Sequence, residues 1–128
     1  MKYKNLLSFN RSFWLLLILF IINPQISYAQ SDYPNRPVRL VIPFTTGGSN
    51  DIIGRFIADQ LGKRLGETFV VDNRGGAGGT LGTDIVAKAK PDGYTLLLIS
   101  TPHTANSSLY KKLPYNPLKD FIPVARIG

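Results

Sequence analysis

The chain has 128 residues, with 15 lysines and arginines against 8 acidic residues, one histidine and no cysteine. That length holds one small domain at most, and the missing cysteines exclude disulfides, thiolate catalysis and a lipid-anchored N-terminal cysteine. The formal charge of +7 overstates its basicity, because residues 1–29 carry Lys2, Lys4 and Arg11 with no acid, and the 12 basic and 8 acidic residues beyond them leave only +4. Lys63-Arg64 and Lys111-Lys112 are isolated pairs. They read as solvated faces, not as a nucleic-acid-binding stripe.

The first segment is a targeting signal by its pattern. A basic start is followed by nine uninterrupted apolar residues, Trp14 to Ile22, then the Asn23-Pro24 break and the small-residue site Ser27-Tyr28-Ala29. Cleavage is expected after Ala29. A spanning helix needs roughly 20 apolar residues, so an uncleaved anchor is the weaker reading. The mature chain is expected in the periplasm, with no stable membrane insertion after cleavage.

Tyr33-Pro34-Asn35-Arg36-Pro37 is a lead-in whose prolines forbid helix. Val38, Leu40 and Ile42 alternate with Arg39 and Val41, giving a first strand to about Phe44. Asp51 to Leu65 reads as a helix with Ile52, Ile53, Phe56, Ile57, Leu61 and Leu65 on one face, Ser49 or Asn50 as its cap and Gly66 as its stop. Thr68 to Asp72 is a second strand, Asn73 to Gly79 a glycine loop, and Thr80 to Lys90 a second helix. Pro91-Asp92-Gly93 is a turn. Tyr94 to Ser100 is a third strand whose unbroken apolar run suits burial on both faces. Beyond Ser100 the pattern loosens, and Phe121 to Ile127 looks like the start of another strand. Strand, helix, strand, helix, strand with short links implies an α/β fold: an open parallel sheet with right-handed crossovers and flanking helices.

In such a sheet, ligands bind beyond the carboxyl ends of the strands. Three segments leave those ends here: Thr45–Asn50, Asn73–Gly79 and Thr101–Asn106. All are rich in Gly, Thr, Ser or Asn. Backbone amides, hydroxyls and the positive end of a helix suit an anion, and a carboxylate in particular. Nucleotide chemistry fails on spacing. After Gly76-Ala77-Gly78 the dinucleotide fingerprint needs a glycine where Leu81 stands, and no Gly-Lys-Ser/Thr occurs. The other reading of Gly75–Gly79 is a tight strand-to-helix turn with no ligand role.

Catalysis is no better supported. One histidine excludes a two-histidine metal site, and Ser49 lacks the nucleophile-elbow glycines. His103 reads as a loop donor or as a surface residue before it reads as a general base. Asp51 is assigned a structural capping role in the first helical turn. Arg74 either meets a ligand carboxylate or forms an ordinary salt bridge.

The runs YPNRPVRLVIPFTTGGSND, VVDNRGGAGGTLG, AKPDGYTLLL and NSSLYKKLPYNPLKDFIPV, in that order over residues 33–128, resemble the Bug family. These are the extracytoplasmic solute-binding receptors of tripartite tricarboxylate transporters. The resemblance implies a two-domain, type II periplasmic binding-protein fold. It implies capture of a small di- or tricarboxylate for membrane permease subunits, with no reaction, cofactor or metal; a monomer is expected. On matching positions, Phe44, Thr46, Gly48, Ser49 and Asn50 belong to the first ligand loop. Ala77 and Gly78 belong to the second, and Thr101, His103 and Thr104 to the third. Thr45-Thr46 departs from the small alanines common in the family, and Pro102 stiffens the third loop. Against the family pattern, residues 1–29 are the signal peptide and residues 30–128 the N-terminal part of domain 1, with the second domain absent. Since closure of two lobes buries the ligand, weak or undetectable binding is expected of this truncated first lobe alone. Two other readings use the same residues: an exported enzyme acting on a carboxylated or phosphorylated metabolite, and a periplasmic sensor partner.

Overall fold

Val38–Ile42 forms β1, the middle strand of a three-stranded parallel sheet in the computed structural model, which describes residues 32–127. The expected signal peptide and its cleavage point lie outside the described residues. β2 is Phe69–Asn73 and β3 is Thr95–Leu97, in the order β2-β1-β3. Val38 pairs with Phe69 and Ile42 with Asn73 on one side, and Arg39 pairs with Thr95 and Val41 with Leu97 on the other. The central position explains the composition of β1: Val38, Leu40, Val41 and Ile42 are all buried.

Helix α1, Ser49–Leu65, links β1 to β2, and helix α2, Thr80–Ala87, links β2 to β3. Right-handed crossovers running outward and then back across β1 put these helices on opposite faces. The core on the α1 side holds Val38, Leu40, Ala58 and Phe69, with Leu61, Val71, Tyr94, Leu96 and Leu98 packed against it. Gly66 ends α1 in the left-handed conformation (φ 77°), its amide bonded to the Gly62 carbonyl. At the N-terminal end of the sheet the Tyr33 hydroxyl donates to the Gly93 carbonyl (2.7 Å), and Arg36 pairs with Asp92 (3.0 Å) over the Tyr94 ring. All described elements belong to one unit, Asp32–Gly128.

The structure departs from the sequence pattern in several places. Only part of the apolar face of α1 turns inward: Leu61 packs against the core and Ile57 is half-buried. Asp51, Gly54 and Ala58 are buried, whereas Ile52 is 65% and Phe56 66% exposed. Ile53 and Leu65 are also exposed. The smallest residues let the helix approach the sheet: a Cβ on Gly54 would overlap the Ile42 δ1 methyl. The helix begins at Ser49 with Gly48 as N-cap and no side-chain cap, so neither Ser49 nor Asn50 has that role.

β1 stops at Ile42 because Pro43 lacks an N–H for the ladder. α2 ends at Ala87 in a tightened turn, the Ala89 amide bonding to Val86. β3 is a half-buried edge strand of this sheet, not one buried on both faces. The supposed loop after Ser100 is a third helix, α3, Pro102–Leu109. Residues 121–127 form no strand; Ile122 is 86% and Val124 83% exposed, because an apolar run becomes a strand only where a partner edge receives its amides. Among the described residues no helix is long and apolar enough to cross a membrane.

Candidate functional site

The carboxyl ends of the three strands deliver three short segments to one edge of the sheet, and side-chain bonds tie those segments together. The Asn50 amide group donates to the Ser100 hydroxyl (3.2 Å), joining the first segment to the third. Gly75 lies so close to the first that a Cβ there would sit 3.3 Å from the Thr45 nitrogen. Asn106 of α3 donates to the Gly78 carbonyl (2.9 Å), joining the second segment to the third.

The first segment is held from within. The Asp51 carboxylate, buried in the first turn of α1, accepts the Gly47 amide (2.8 Å) and pairs with Arg55 (3.0 Å). The Gly47 amide, with the Arg55 hydrogen bond, holds the Asp51 carboxyl below the usual carboxylate range. Arg55 in turn donates to the Asn73 side chain (3.2 Å), which donates to the Phe44 carbonyl (3.2 Å). The acid therefore has its charge matched locally and does not face a bound anion as a bare charge. Ser49 and Asn50, the first two residues of α1, have amides with no intrahelical acceptor.

The second segment has an unusual backbone. Ala77 (φ 47°), Gly78 (φ 62°) and Gly79 (φ 90°) make one left-handed turn, closed by the Gly79 amide on the Gly76 carbonyl (2.9 Å). Ala77 is the one non-glycine with positive φ among the described residues. The amides of Ala77 and Gly78 have no acceptor among the described residues. Arg74 is engaged elsewhere, its Nε donating to Asp72 (2.9 Å), which takes the salt-bridge alternative. Burial pushes the Asp72 carboxyl up, and hydrogen bonds from Arg39 and Arg74 outweigh it, leaving the pKa lowered.

The third segment differs most from a ligand loop. Thr101 is the N-cap residue of α3, and Thr104 lies on the helix; both are exposed. His103 is half-buried, stacked on Tyr115 (5.9 Å, 6°) and edge-on to Phe121 (5.5 Å). Burial lowers its pKa, against an opposing hydrogen bond at the Pro117 backbone. Its Nδ1 and the Tyr115 hydroxyl are buried and have no hydrogen-bond partner among the described residues.

Of the sequence candidates, Phe44, Thr46, Gly48, Ser49, Asn50, Ala77 and Gly78 therefore sit on the two segments that converge. Asn73, Arg55, Asn106 and Tyr110 were not singled out from sequence, and each touches those segments. Pro102 was the available signal for α3, since proline at N1 marks a helix start. A shallow hollow lined by Arg55, Ala58, Gly62, Gly66 and Phe69 opens between α1 and the start of β2 and holds none of the candidates.

Residues 53–128 match the family described as tripartite tricarboxylate transporter family receptor. The chain belongs to that receptor family. It is 47% identical over 98 residues to Protein BugT of Bordetella pertussis, covering 75% of this chain and 30% of that one. Among solved structures, periplasmic binding protein BugD is 49% identical with a TM-score of 0.67, over 70% of this chain and 30% of BugD. MatC from Rhodopseudomonas palustris with bound malate is 44% identical, also with a TM-score of 0.67, over 72% of this chain and 32% of MatC. The fold is thus that of periplasmic binding proteins, and the family is one of receptors, not of enzymes. The chain spans about a third of the length of the curated relatives it matches.

Proposed function

We propose that this chain supplies one wall of a periplasmic solute-binding cleft that captures a small carboxylated metabolite for a tripartite tricarboxylate-type transporter. The observation that carries the reading is the convergence of two amide-presenting segments at one sheet edge. The first segment carries the unsatisfied amides of Ser49 and Asn50, with Asp51 already bonded to Gly47, and the second, which meets it where Gly75 approaches Thr45, carries the left-handed turn at Ala77 and Gly78. Neutral donors of this kind solvate a carboxylate without a desolvated fixed charge opposite it. The malate bound to the similar MatC supports a dicarboxylate of that size.

Gly48 keeps the backbone close to the ligand, Phe44 and Thr46 flank it, and the Thr101 and Thr104 hydroxyls lie at the rim. His103 contributes by seating the start of α3 on Tyr115 and Phe121. Residues 30–128 act as part of a first lobe, the opposing wall coming from the second lobe of a complete receptor. Residues 1–29 direct export and are removed after Ala29. The loaded receptor, a monomer, then presents its solute to the membrane permease subunits.

The test is a malate titration of residues 30–128 followed by amide NMR. Shifts are expected to concentrate at Ser49, Asn50, Ala77 and Gly78, with saturation only in the millimolar range because one wall leaves the ligand wet. Shifts centred elsewhere would refute the site. Micromolar or tighter affinity would refute the need for a second wall.

A further inference from the structure

We infer that Asn106 of α3 and Tyr110, the residue that ends it, are positioning residues that fix which way the second segment presents its amides; the inference rests on the solute-wall reading above. The Tyr110 hydroxyl donates to the Ala77 carbonyl (3.1 Å), and Asn106 Nδ2 donates to the Gly78 carbonyl (2.9 Å). The Thr80 hydroxyl and backbone amide also meet the Ala77 carbonyl. A trans peptide is planar, so its N–H points opposite to its C=O. Tying the Ala77 carbonyl to α3 therefore turns the Gly78 amide away from α3, with no acceptor of its own.

The turn is not one the chain adopts unaided. Ala77 at φ 47° is in a region that side chains disfavour, and such a residue persists only when its surroundings over-determine it. Asn106 in the last turn of α3 and Tyr110, where the chain leaves the helix in extended backbone, supply that constraint from one end of it. The fit is close on the other side as well, since a Cβ on Gly78 would lie 3.1 Å from the Tyr110 hydroxyl. Asn106 is buried (4% exposed), and its amide group faces Gly78, not solvent. The helix that the sequence concealed thus sets the geometry of the glycine segment that the sequence displayed.

The experiment uses Tyr110→Phe, which keeps the partly exposed ring and deletes one hydroxyl, beside Asn106→Ala. Without ligand, the amide–α coupling and Cα shift of Ala77 and the exchange rate of the Gly78 amide report the turn. Both variants are expected to average the Ala77 coupling and alter Gly78 exchange while the signals of β1 and α1 stay in place. Malate affinity should fall about fivefold in Tyr110→Phe, the order of one net hydrogen bond, with its melting temperature little changed. An unaltered Ala77–Gly78 turn in both variants would overturn the inference, and so would an altered turn with unaltered malate affinity. If malate shifts no amide of the parent chain, the solute-wall reading fails instead, and the tethering is judged by the coupling and exchange data alone.

Discussion

Replacing Gly82 by alanine probes the junction on which both amide-presenting segments rest. A Cβ at Gly82 would lie 2.6 Å from the Arg74 carbonyl oxygen and 2.9 Å from the Pro43 Cα and Cβ. Those atoms are backbone and ring, unable to rotate aside, and they root the two segments: Pro43 precedes Phe44, and Arg74 precedes Gly75. Overpacking of this kind costs about 1–3 kcal/mol, and contact with rigid atoms on two sides argues for the upper end. Alanine recovers about 1 kcal/mol of helix propensity in α2. The net is a loss of about 2 kcal/mol, which for a domain of this size lowers the melting temperature by about 8–16 °C. Gly54→Ala is the control. Its Cβ would overlap the δ1 methyl of buried Ile42 and crowd Leu98, but these are flexible side chains, so the adjustment, offset in part by the propensity gain, leaves a smaller loss than Gly82→Ala. Thermal unfolding of the two variants beside the parent decides the matter. If Gly82→Ala melts within about 2 °C of the parent, or above Gly54→Ala, the helix is not wedged against these backbones and the reasoning fails.

Two further predictions concern pH. The Asp51 carboxyl is depressed by the Gly47 amide, with Arg55 adding to it, so its contribution is complete above the ordinary carboxylate pKa and is lost as pH falls through the lower folded value. Asp51→Asn should flatten the acid limb of the melting curve below about pH 4, and the parent's Gly47 amide shift should titrate over the same limb; an unchanged limb would remove Asp51 from the anchor. The His103 pKa is lowered by burial, so stability is present above its unfolded value near 6.5 and declines as pH falls through the folded one. His103→Phe, which keeps a ring against Tyr115 and Phe121, should remove that decline below about pH 6.5, measured by thermal melts.

The sequence made the sheet legible because its signals were local: alternation in Val38–Ile42, glycine at the end of α1, short links between elements. The buried face of α1 was legible only at Ile57 and Leu61. Hydrophobicity points to Ile52 and Phe56, but the sheet admits Gly54 and Ala58 because they are small, and distance of approach leaves no trace in an apolar pattern. α3 was hidden for another reason: Pro102-His103-Thr104-Ala105-Asn106 is mostly polar, so only proline at N1 announced it. For Phe121–Ile127 the pattern suggested a strand, whereas pairing depends on an edge elsewhere. Within the site, glycine and hydroxyl composition marked the right segments. Their wiring through Asn73, Arg55, Asn106 and Tyr110 depends on contacts between residues far apart in the chain, and no spacing encodes it.

The same wiring makes the site's electrostatics testable. Arg55 and Arg74, the arginines bonded into these segments, are matched to Asp51 and Asp72, and Asp51 is itself capped by Gly47. What remains to meet an anion is a set of backbone dipoles, whose fields fall off faster than those of charges. Screening acts on interactions longer than about 10 Å at 0.1 M salt, and dipoles in direct contact with a carboxylate lie well inside that range. Raising ionic strength from about 0.05 to 0.5 M should therefore weaken malate binding by less than about threefold, an effect due mainly to the overall positive charge. A site built on an unpaired arginine would weaken far more. Titrations followed at the Ser49 and Gly78 amides at both salt concentrations separate the cases, and a tenfold loss would mean that an arginine leaves its acid partner to hold the ligand.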